Sequence, residues 1–257
     1  MSTERVSSSD PSLPVRVREL ATAASRGPRY PANDADRHDV AIAGVALPLR
    51  ATVALFVATA VIVLDETHRL VDPIVGAALG GGDPALQTSV DRFVLFGIVP
   101  FVVTGVLFRE SPARYGLTVG DWRWGLGLLL AGLAVMTPII AWFATFPEFV
   151  AYYRGAAAPL TQLVVRNGLE VGAAEFLLRG FLLFALLRRI GPLAIVIVQV
   201  PFVLIHVGKP EIEIWSTFLG GSIFAWLDWR TRSVLWSALG HLYVLTLMIV
   251  LAGGTTG

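Results

Sequence analysis

The fold of this chain is decided by the stretch LEVGAAEFLLRGFLLFALLRR, residues 169–189. Its apolar residues form a run long enough for a helix that crosses a bilayer, but one carboxylate, Glu175, and one guanidinium, Arg179, lie in its interior. Charged groups in hydrocarbon cost several kcal/mol unless they are paired, hydrated or used, so an ionisable residue inside a membrane helix is a candidate functional residue. Other polar groups that reach the same depth are candidates for the rest of a site.

The composition is that of a multi-pass membrane protein. Of 257 residues, 55% are hydrophobic and 15% are charged, and the mean hydropathy is +0.69, whereas a soluble domain carries about 25% charged residues. The net charge of +1 and the lack of a basic stripe argue against a nucleic-acid-binding protein. The absence of cysteine excludes disulfides, thiolate catalysis and Cys-ligated metals.

The chain divides into a polar tail and two membrane segments. Residues 1–38 are rich in Ser, Pro, Arg and Asp and predict a disordered cytoplasmic tail, because arginine accumulates on the inner side of membranes. Residues 39–158 predict N-terminal transmembrane helices, and residues 159–253 predict a transmembrane core that contains the candidate functional residues. The predicted spans are 40–64, 93–108, 124–146, 160–189, 193–207, 214–227 and 234–251. We expect an all-α bundle of seven to eight transmembrane helices in a bacterial or archaeal cell membrane.

Three titratable side chains on different helices reach a similar depth. Counted from the arginines and the Gly-Pro turn that mark the predicted inner face, Glu175, His206 and His241 lie 13, 14 and 9 residues along their helices. At a rise of 1.5 Å per residue these positions are roughly 20, 21 and 14 Å above that face. Glu175 and Arg179 are also four residues apart on one helical face, which predicts that they pair.

Other polar and small residues are predicted to have packing or boundary roles. Glu170 is about 140° around the helix from Glu175, so it is a poorer partner than its proximity suggests. Asp228 follows the sixth span beside two arginines and is predicted to mark its inner end. The remaining positions, predicted to allow close packing, are the small residues Gly220, Gly221, Ser222 and Ala225.

The three titratable residues also have structural explanations. Glu175 and Arg179 would form a structural ion pair that fixes the bundle, and His206 would face interfacial water at a helix end. His241 would make an interhelical hydrogen bond of the kind that stabilises membrane bundles. A functional site is favoured because all three residues are predicted to lie at one depth.

Their chemistry is what peptide hydrolysis needs. That reaction requires a base for water, a group that stabilises the oxyanion and a proton for the leaving amine. A partly desolvated Glu can take the proton from water and deliver it, while one His holds the water and a second donates to the oxyanion. No Ser-His-Asp arrangement with a nucleophile elbow and no HExxH is present, so we predict a site without metal or cofactor. Zinc bound by one Glu and two His stays an alternative.

Three motifs in this order resemble those of the CAAX-prenyl-protease-2-like and bacteriocin-processing (CPBP or ABI) family of intramembrane proteases. They are AEFLLRGF at 174–181, FVLIH at 202–206 and ALGH at 238–241, against the family pattern EExxxR, FxxxH and HxxxN. The resemblance covers about residues 160–251. It implies a glutamic endopeptidase in which Glu175 and His206 activate water and His241 contributes to an oxyanion site. Arg179 and Phe202 correspond to the remaining motif positions.

The chain departs from this pattern at two positions. Ala174 replaces the first Glu of EExxxR, and Leu245 replaces the Asn that follows His241. Either Glu175 is the sole base, with Lys209 or Glu213 of the loop HVGKPEIE as auxiliary groups over His206, or the protein is an inactive relative. Those two loop residues are also explained as solvated charges.

Three classes of function therefore remain open. The first is an endopeptidase that cleaves a membrane-associated or exported peptide, with the lipid bilayer as its other partner and no nucleic acid. The second is an inactive membrane scaffold that binds such peptides. The third is a proton-coupled transporter, because intramembrane Glu and His also build proton relays, but the paired repeats common in transporters are missing.

Overall fold

The computed structural model describes residues 38–67 and 83–254, and these residues are predominantly helical. The all-α membrane fold predicted from the sequence is confirmed. The predicted tail, apart from His38, and most of the loop after the first helix lie outside the described residues. The elements in chain order are β1 (Asp39–Ile42), β2 (Val45–Pro48), α1 (Leu49–Thr67), α2 (Pro84–Leu107), α3 (Trp122–Phe143), α4 (Pro147–Tyr153), α5 (160–190), α6 (Leu193–Leu204), α7 (Glu211–Thr231) and α8 (Leu235–Gly253).

Several of these helices contain π-helical turns, and short 3-10 turns lie between them. Helix α5 is α-helical over Leu160–Glu175, π-helical over Phe176–Leu182 and α-helical again over Leu183–Ile190. The other π-helical stretches are Phe93–Ile98 and Val103–Leu107 in α2 and Ile249–Gly253 in α8. Short 3-10 turns cover Pro112–Tyr115 and Arg154–Ala156. π-helical turns are rare, and those that occur are often found at functional sites. The π-helical turn in α5 therefore indicates that the middle of this helix is a candidate functional region.

The first predicted span, 40–64, is wrong in its first part. Residues 39–48 form an antiparallel hairpin in which Ile42 pairs with Val45. Ala43 and Gly44, with φ of 51° and 82°, are both left-handed, as a two-residue hairpin turn of type I′ requires. The apolar composition of this run therefore reflects a short hairpin, and the helix begins only at Leu49.

Within residues 38–67 and 83–254, three helices are long and apolar enough to cross a membrane: Pro84–Leu107, Trp122–Phe143 and Leu235–Gly253. A shorter apolar helix covers Leu193–Leu204. The total of seven to eight transmembrane helices stays a prediction. Exposed apolar side chains such as Leu130 and Val135 on α3 are what a lipid-facing surface requires.

Helix α5 is the centre of the bundle. Every residue from Glu175 to Arg188 is buried, and α1, α2, α6 and α8 all pack against this helix. A buried hydrogen bond of 3.0 Å from Asn167 Nδ2 to Thr246 Oγ1 joins α5 to α8. A polar group on the middle of α5 therefore lies deep inside the protein and needs partners from the neighbouring helices.

Ionic contacts hold α5 at its C-terminal end and in its first half. At one end, Arg188 donates to Glu110, at 2.8 Å, and Glu110 also accepts from the Tyr115 hydroxyl at 2.5 Å. Burial raises the pKa of Tyr115 above its ordinary value, so its hydroxyl remains a donor. In the first half of α5, Glu170 pairs with Arg92, which also contacts Asp65 at 3.0 Å. Glu170 thus binds a different helix and does not contact Glu175.

Candidate active site

Glu175, the last residue of the first α-helical part of α5, and Arg179, in its π-helical part, form a buried ion pair. Arg179 Nη1 donates to Glu175 Oε1, and the side chains are 1% and 0% exposed, respectively. The guanidinium carbon lies 3.9 Å from the ring centre of Phe202 and 5.5 Å from that of Phe224. The cation is therefore held between a carboxylate and two aromatic faces, which replace the water that it has lost.

His241 comes from α8 and contacts the same carboxylate. Its Nδ1 atom lies 2.6 Å from Glu175 Oε1. Because an ionised carboxylate can only accept, Nδ1 carries the hydrogen and Nε2 is left for another partner. The His241 side chain is 16% exposed, so this residue connects the buried pair to the surface of the protein.

His206 lies just after the end of α6 and approaches the site from a third side. Its Nδ1 atom donates to the Phe202 carbonyl oxygen at 2.7 Å, because a carbonyl can only accept. In the neutral ring, Nε2 therefore keeps its lone pair. The ring centre of His206 lies 6.3 Å from that of His241 and 4.6 Å from that of Phe202. The structure thus brings together Glu175, His206 and His241.

The two oxygens of Glu175 have different surroundings. Oε1 accepts from both Arg179 and His241, whereas Oε2 has no hydrogen-bond partner among the described residues. A buried carboxylate oxygen without a partner is rare, because its desolvation is not compensated. Oε2 is therefore the atom of this site that is available to accept a proton or a hydrogen bond from a bound molecule.

Lys209 and Glu213 lie beside the site and bind each other. Lys209 Nζ donates to Glu213 Oε1 at 2.8 Å, and the Tyr153 hydroxyl donates to the same carboxylate at 2.7 and 2.8 Å from its two oxygens. Burial and the adjacent Glu213 charge raise the pKa of Tyr153 well above its ordinary value. This contact joins the end of α4 to the start of α7. Glu213 is therefore engaged by Tyr153 and Lys209, and no direct contact between Glu213 and His206 appears among the described residues.

Residues 156–247 match the family model described as type II CAAX prenyl endopeptidase Rce1-like. This segment is Rce1-like. It spans a little over a third of the chain, from the end of α4 to the middle of α8, and it contains all three side chains of the candidate site. The family resemblance predicted from the motifs is thereby confirmed for this segment. Comparison with curated proteins and with solved structures gives no match.

The Rce1-like region lacks a polar group at both positions where its motifs depart from the family pattern. Ala174 and Leu245 are partly buried and pack against two different apolar clusters. Among the described residues, no three His, Asp or Glu side chains are grouped closely enough to hold a metal ion.

Asp228 of the Rce1-like region was not predicted as a site residue. It lies in the last turn of α7, is 0% exposed and accepts from the Ser237 hydroxyl at 2.8 Å. The sequence contained a signal for this, because Gly221, Ala225 and Asp228 are spaced four and three residues apart, on one helical face. All three are buried.

Proposed function

We propose that this protein is an intramembrane endopeptidase that hydrolyses peptide bonds with water activated by Glu175. The observation that carries the proposal is the asymmetry of this carboxylate, whose Oε1 is held by Arg179 and His241 while Oε2 is without a partner. Fixing one oxygen orients the other, which is what a general base needs. The Rce1-like match supports a protease of the CAAX type at the level of the family.

The proposed reaction uses the three side chains in separate roles. Glu175 Oε2 takes a proton from water as the water oxygen attacks the scissile carbonyl carbon, and His206 Nε2 accepts the second hydrogen of that water. Protonated His241 donates from Nε2 to the carbonyl oxygen, which becomes the oxyanion. Glu175 then returns its proton to the leaving amine as the C–N bond breaks, so the site ends in its starting state.

The proposed substrate is a peptide segment at or in the membrane. His241 is the member of the site with the most exposed side chain, so a substrate would reach the site past this residue. We infer that the N-terminus is cytoplasmic and that the site, counted from the arginine-rich helix ends, lies toward the outer half of the bilayer. That depth suits an exported or membrane-anchored peptide better than a cytosolic prenylated C-terminus.

The test is cleavage by Glu175→Gln compared with Glu170→Gln. Both variants neutralise one carboxylate on the same helix, but Glu170 pairs with Arg92 and does not contact the site. Mass spectrometry of membrane peptides from the native host, with each variant replacing the natural protein, would identify substrates and activity together. We expect loss of the cleaved products for Glu175→Gln and their retention for Glu170→Gln. Unchanged products for Glu175→Gln would refute the proposal.

A second candidate is an inactive membrane protein that binds peptides. It is favoured by Ala174 and Leu245, which leave the site with fewer polar groups than the family pattern provides. Ala174→Glu distinguishes the two functions. Proteolysis that appears only in this variant would favour the inactive protein, whereas proteolysis by the natural sequence excludes it.

A further inference from the structure

The turn that carries His206, residues 206–210, lies largely at the surface and connects α6 to α7. Val207 and Gly208 are exposed, and Gly208 is left-handed, with φ of 95°. The Lys209 N–H donates to the His206 carbonyl oxygen at 3.2 Å, so this backbone contact stays within the turn. A surface segment with few buried contacts opens easily unless another part of the protein holds it.

A chain of side-chain contacts leads from this turn to α4. Lys209 Nζ donates to Glu213 Oε1 at 2.8 Å, and the Tyr153 hydroxyl lies 2.8 and 2.7 Å from Glu213 Oε1 and Oε2, respectively. Because a tyrosine hydroxyl has one hydrogen, the two oxygens share it. The Glu213 carboxylate therefore binds the turn on one side and Tyr153 on the other.

Tyr153 is fixed to α8, the helix that carries His241. Its side chain is 4% exposed and belongs to the same buried apolar cluster as Ile249 and Ala252 of α8. A side-chain carbon added at Gly253 would lie 2.5 Å from the Tyr153 carbonyl oxygen, so the two backbones lie close together. Tyr153 thereby joins the start of α7 to the last turns of α8.

The two histidines of the site belong to the two parts that this contact joins. Their ring centres lie 6.3 Å apart. The His206 side chain donates to the Phe202 carbonyl oxygen of its own helix, and among the described residues it has no hydrogen bond to α5 or α8. Its position relative to His241 therefore depends on packing and on contacts made by the rest of the turn. The contact of Glu213 with Tyr153 connects that turn to α8.

We propose that Tyr153 is a positioning residue of the active site, which holds the turn at a fixed distance from α8 through Glu213 and Lys209. Its role in catalysis rests on the proposed function, in which His206 orients the attacking water, but the placement of the turn can be measured without any cleavage. A displacement of about 1 Å in a positioned group can lower a rate by about 100-fold. Because His206 acts on water and not on the peptide, a loosened turn should reduce kcat more than it changes KM.

The first test is cleavage of a synthetic peptide that contains the site identified in the comparison of Glu175→Gln with Glu170→Gln, measured well below the melting temperature of each variant. Tyr153→Phe removes the hydroxyl, so we expect kcat to fall by about 10- to 100-fold with little change in KM. Tyr152→Phe, at the more exposed neighbouring tyrosine, is the matched control and should leave both constants unchanged. Glu213→Gln keeps an oxygen that accepts from Tyr153 and should retain most of kcat, whereas Glu213→Leu should lose as much as Tyr153→Phe.

The second test measures the turn directly and needs no substrate. The natural chain has no cysteine, so Val207→Cys and Leu251→Cys, at two exposed positions on the turn and on α8, can each carry a spin label at a unique place. We expect the distribution of distances between the two labels to be broader when Tyr153→Phe is added. The same labels with Tyr152→Phe should give the distribution of the otherwise natural sequence.

Three results would overturn the inference: a distance distribution that Tyr153→Phe leaves unchanged, a kcat that it leaves unchanged, or a loss of kcat in Glu213→Gln as large as that in Glu213→Leu. In the last case the charge of Glu213, and not its hydrogen bond with Tyr153, would be responsible. If Tyr153→Phe fails to fold, the labels combined with Glu213→Gln and with Glu213→Leu test the same contact. If the distribution broadens as expected but the natural protein cleaves no peptide, the proposed function fails and the placement of the turn by Tyr153 does not.

Discussion

Replacement of Arg179 by Met should destabilise the protein by about 4 kcal/mol at pH 7. Removing one partner of a buried ion pair costs about 3–5 kcal/mol, and here Glu175 would lose its permanent counter-charge and keep only the contact with His241. A second estimate assumes that Glu175 takes up a proton instead. With an ordinary Glu pKa of about 4.3 and 1.36 kcal/mol per pH unit, that protonation costs about 3.7 kcal/mol at pH 7. Loss of the contact with the Phe202 ring adds to either value.

The second estimate also predicts how the effect depends on pH. In the variant, Glu175 would be protonated when folded and ionised when unfolded, so the folded state binds one more proton. The stability of Arg179→Met should therefore fall by about 1.4 kcal/mol per unit as the pH rises above about 4.3, relative to the natural protein. Glu175→Gln combined with Arg179→Met removes both charges and should recover most of the loss.

The assay is reversible unfolding in mixed micelles, followed by the fluorescence of the seven tryptophans. Free energies of unfolding for the natural protein, the two single variants and the double variant complete a thermodynamic cycle. The reasoning is refuted if Arg179→Met costs less than about 1 kcal/mol at pH 7, where burial of an uncompensated charge predicts several times more. It is also refuted if the double variant loses as much as the two single variants together.

Two further substitutions test the supports of the site. Gly221→Ala would place its new carbon 2.7 Å from the Phe202 ring, so we expect the free energy of unfolding to fall by about 1–3 kcal/mol and cleavage to be lost. In Gly220→Ala the new carbon meets nothing within 4 Å, so stability and cleavage should both stay unchanged. Tyr153→Phe removes the hydroxyl that donates to Glu213, so we expect a melting experiment to show a stability lower by about 1–2 kcal/mol. Tyr152→Phe, at a more exposed tyrosine, is the control and should leave the stability unchanged. Burial and Glu213 raise the pKa of Tyr153, so this residue should not form tyrosinate near pH 10. The tyrosinate absorbance at that pH should therefore be the same in Tyr153→Phe as in the natural protein, and a lower absorbance would contradict the raised pKa.

Much of the central helix could be predicted from spacing alone. The apolar run of residues 169–189 allows little besides a buried helix, and an interval of four residues places Arg179 on the same face as Glu175. The observed contact between these two side chains agrees with that spacing, which depends on the geometry of one helix. The common depth of His206 and His241, counted from the helix ends at a fixed rise per residue, stays a prediction.

The hairpin at residues 39–48 was not predicted from the sequence. An apolar run does not by itself distinguish a strand from a helix. Here the left-handed backbone of Ala43 and Gly44 turns the chain back on itself, so that Val45 pairs with Ile42. The turn residue Gly44 was visible in the sequence, but Ala43 is not a residue that signals positive φ.

The sequence by itself determined that this is a helical membrane protein with an Rce1-like C-terminal region and a charged pair in its central helix. Those features follow from composition, periodicity and motif order. Only the tertiary structure decided which groups meet: that His241 and Arg179 share one oxygen of Glu175, and that Asp228 turns inward toward Ser237. The physical reason is that the energy of a buried charge depends on its neighbours in space, and α5, α7 and α8 bring those neighbours from distant parts of the chain.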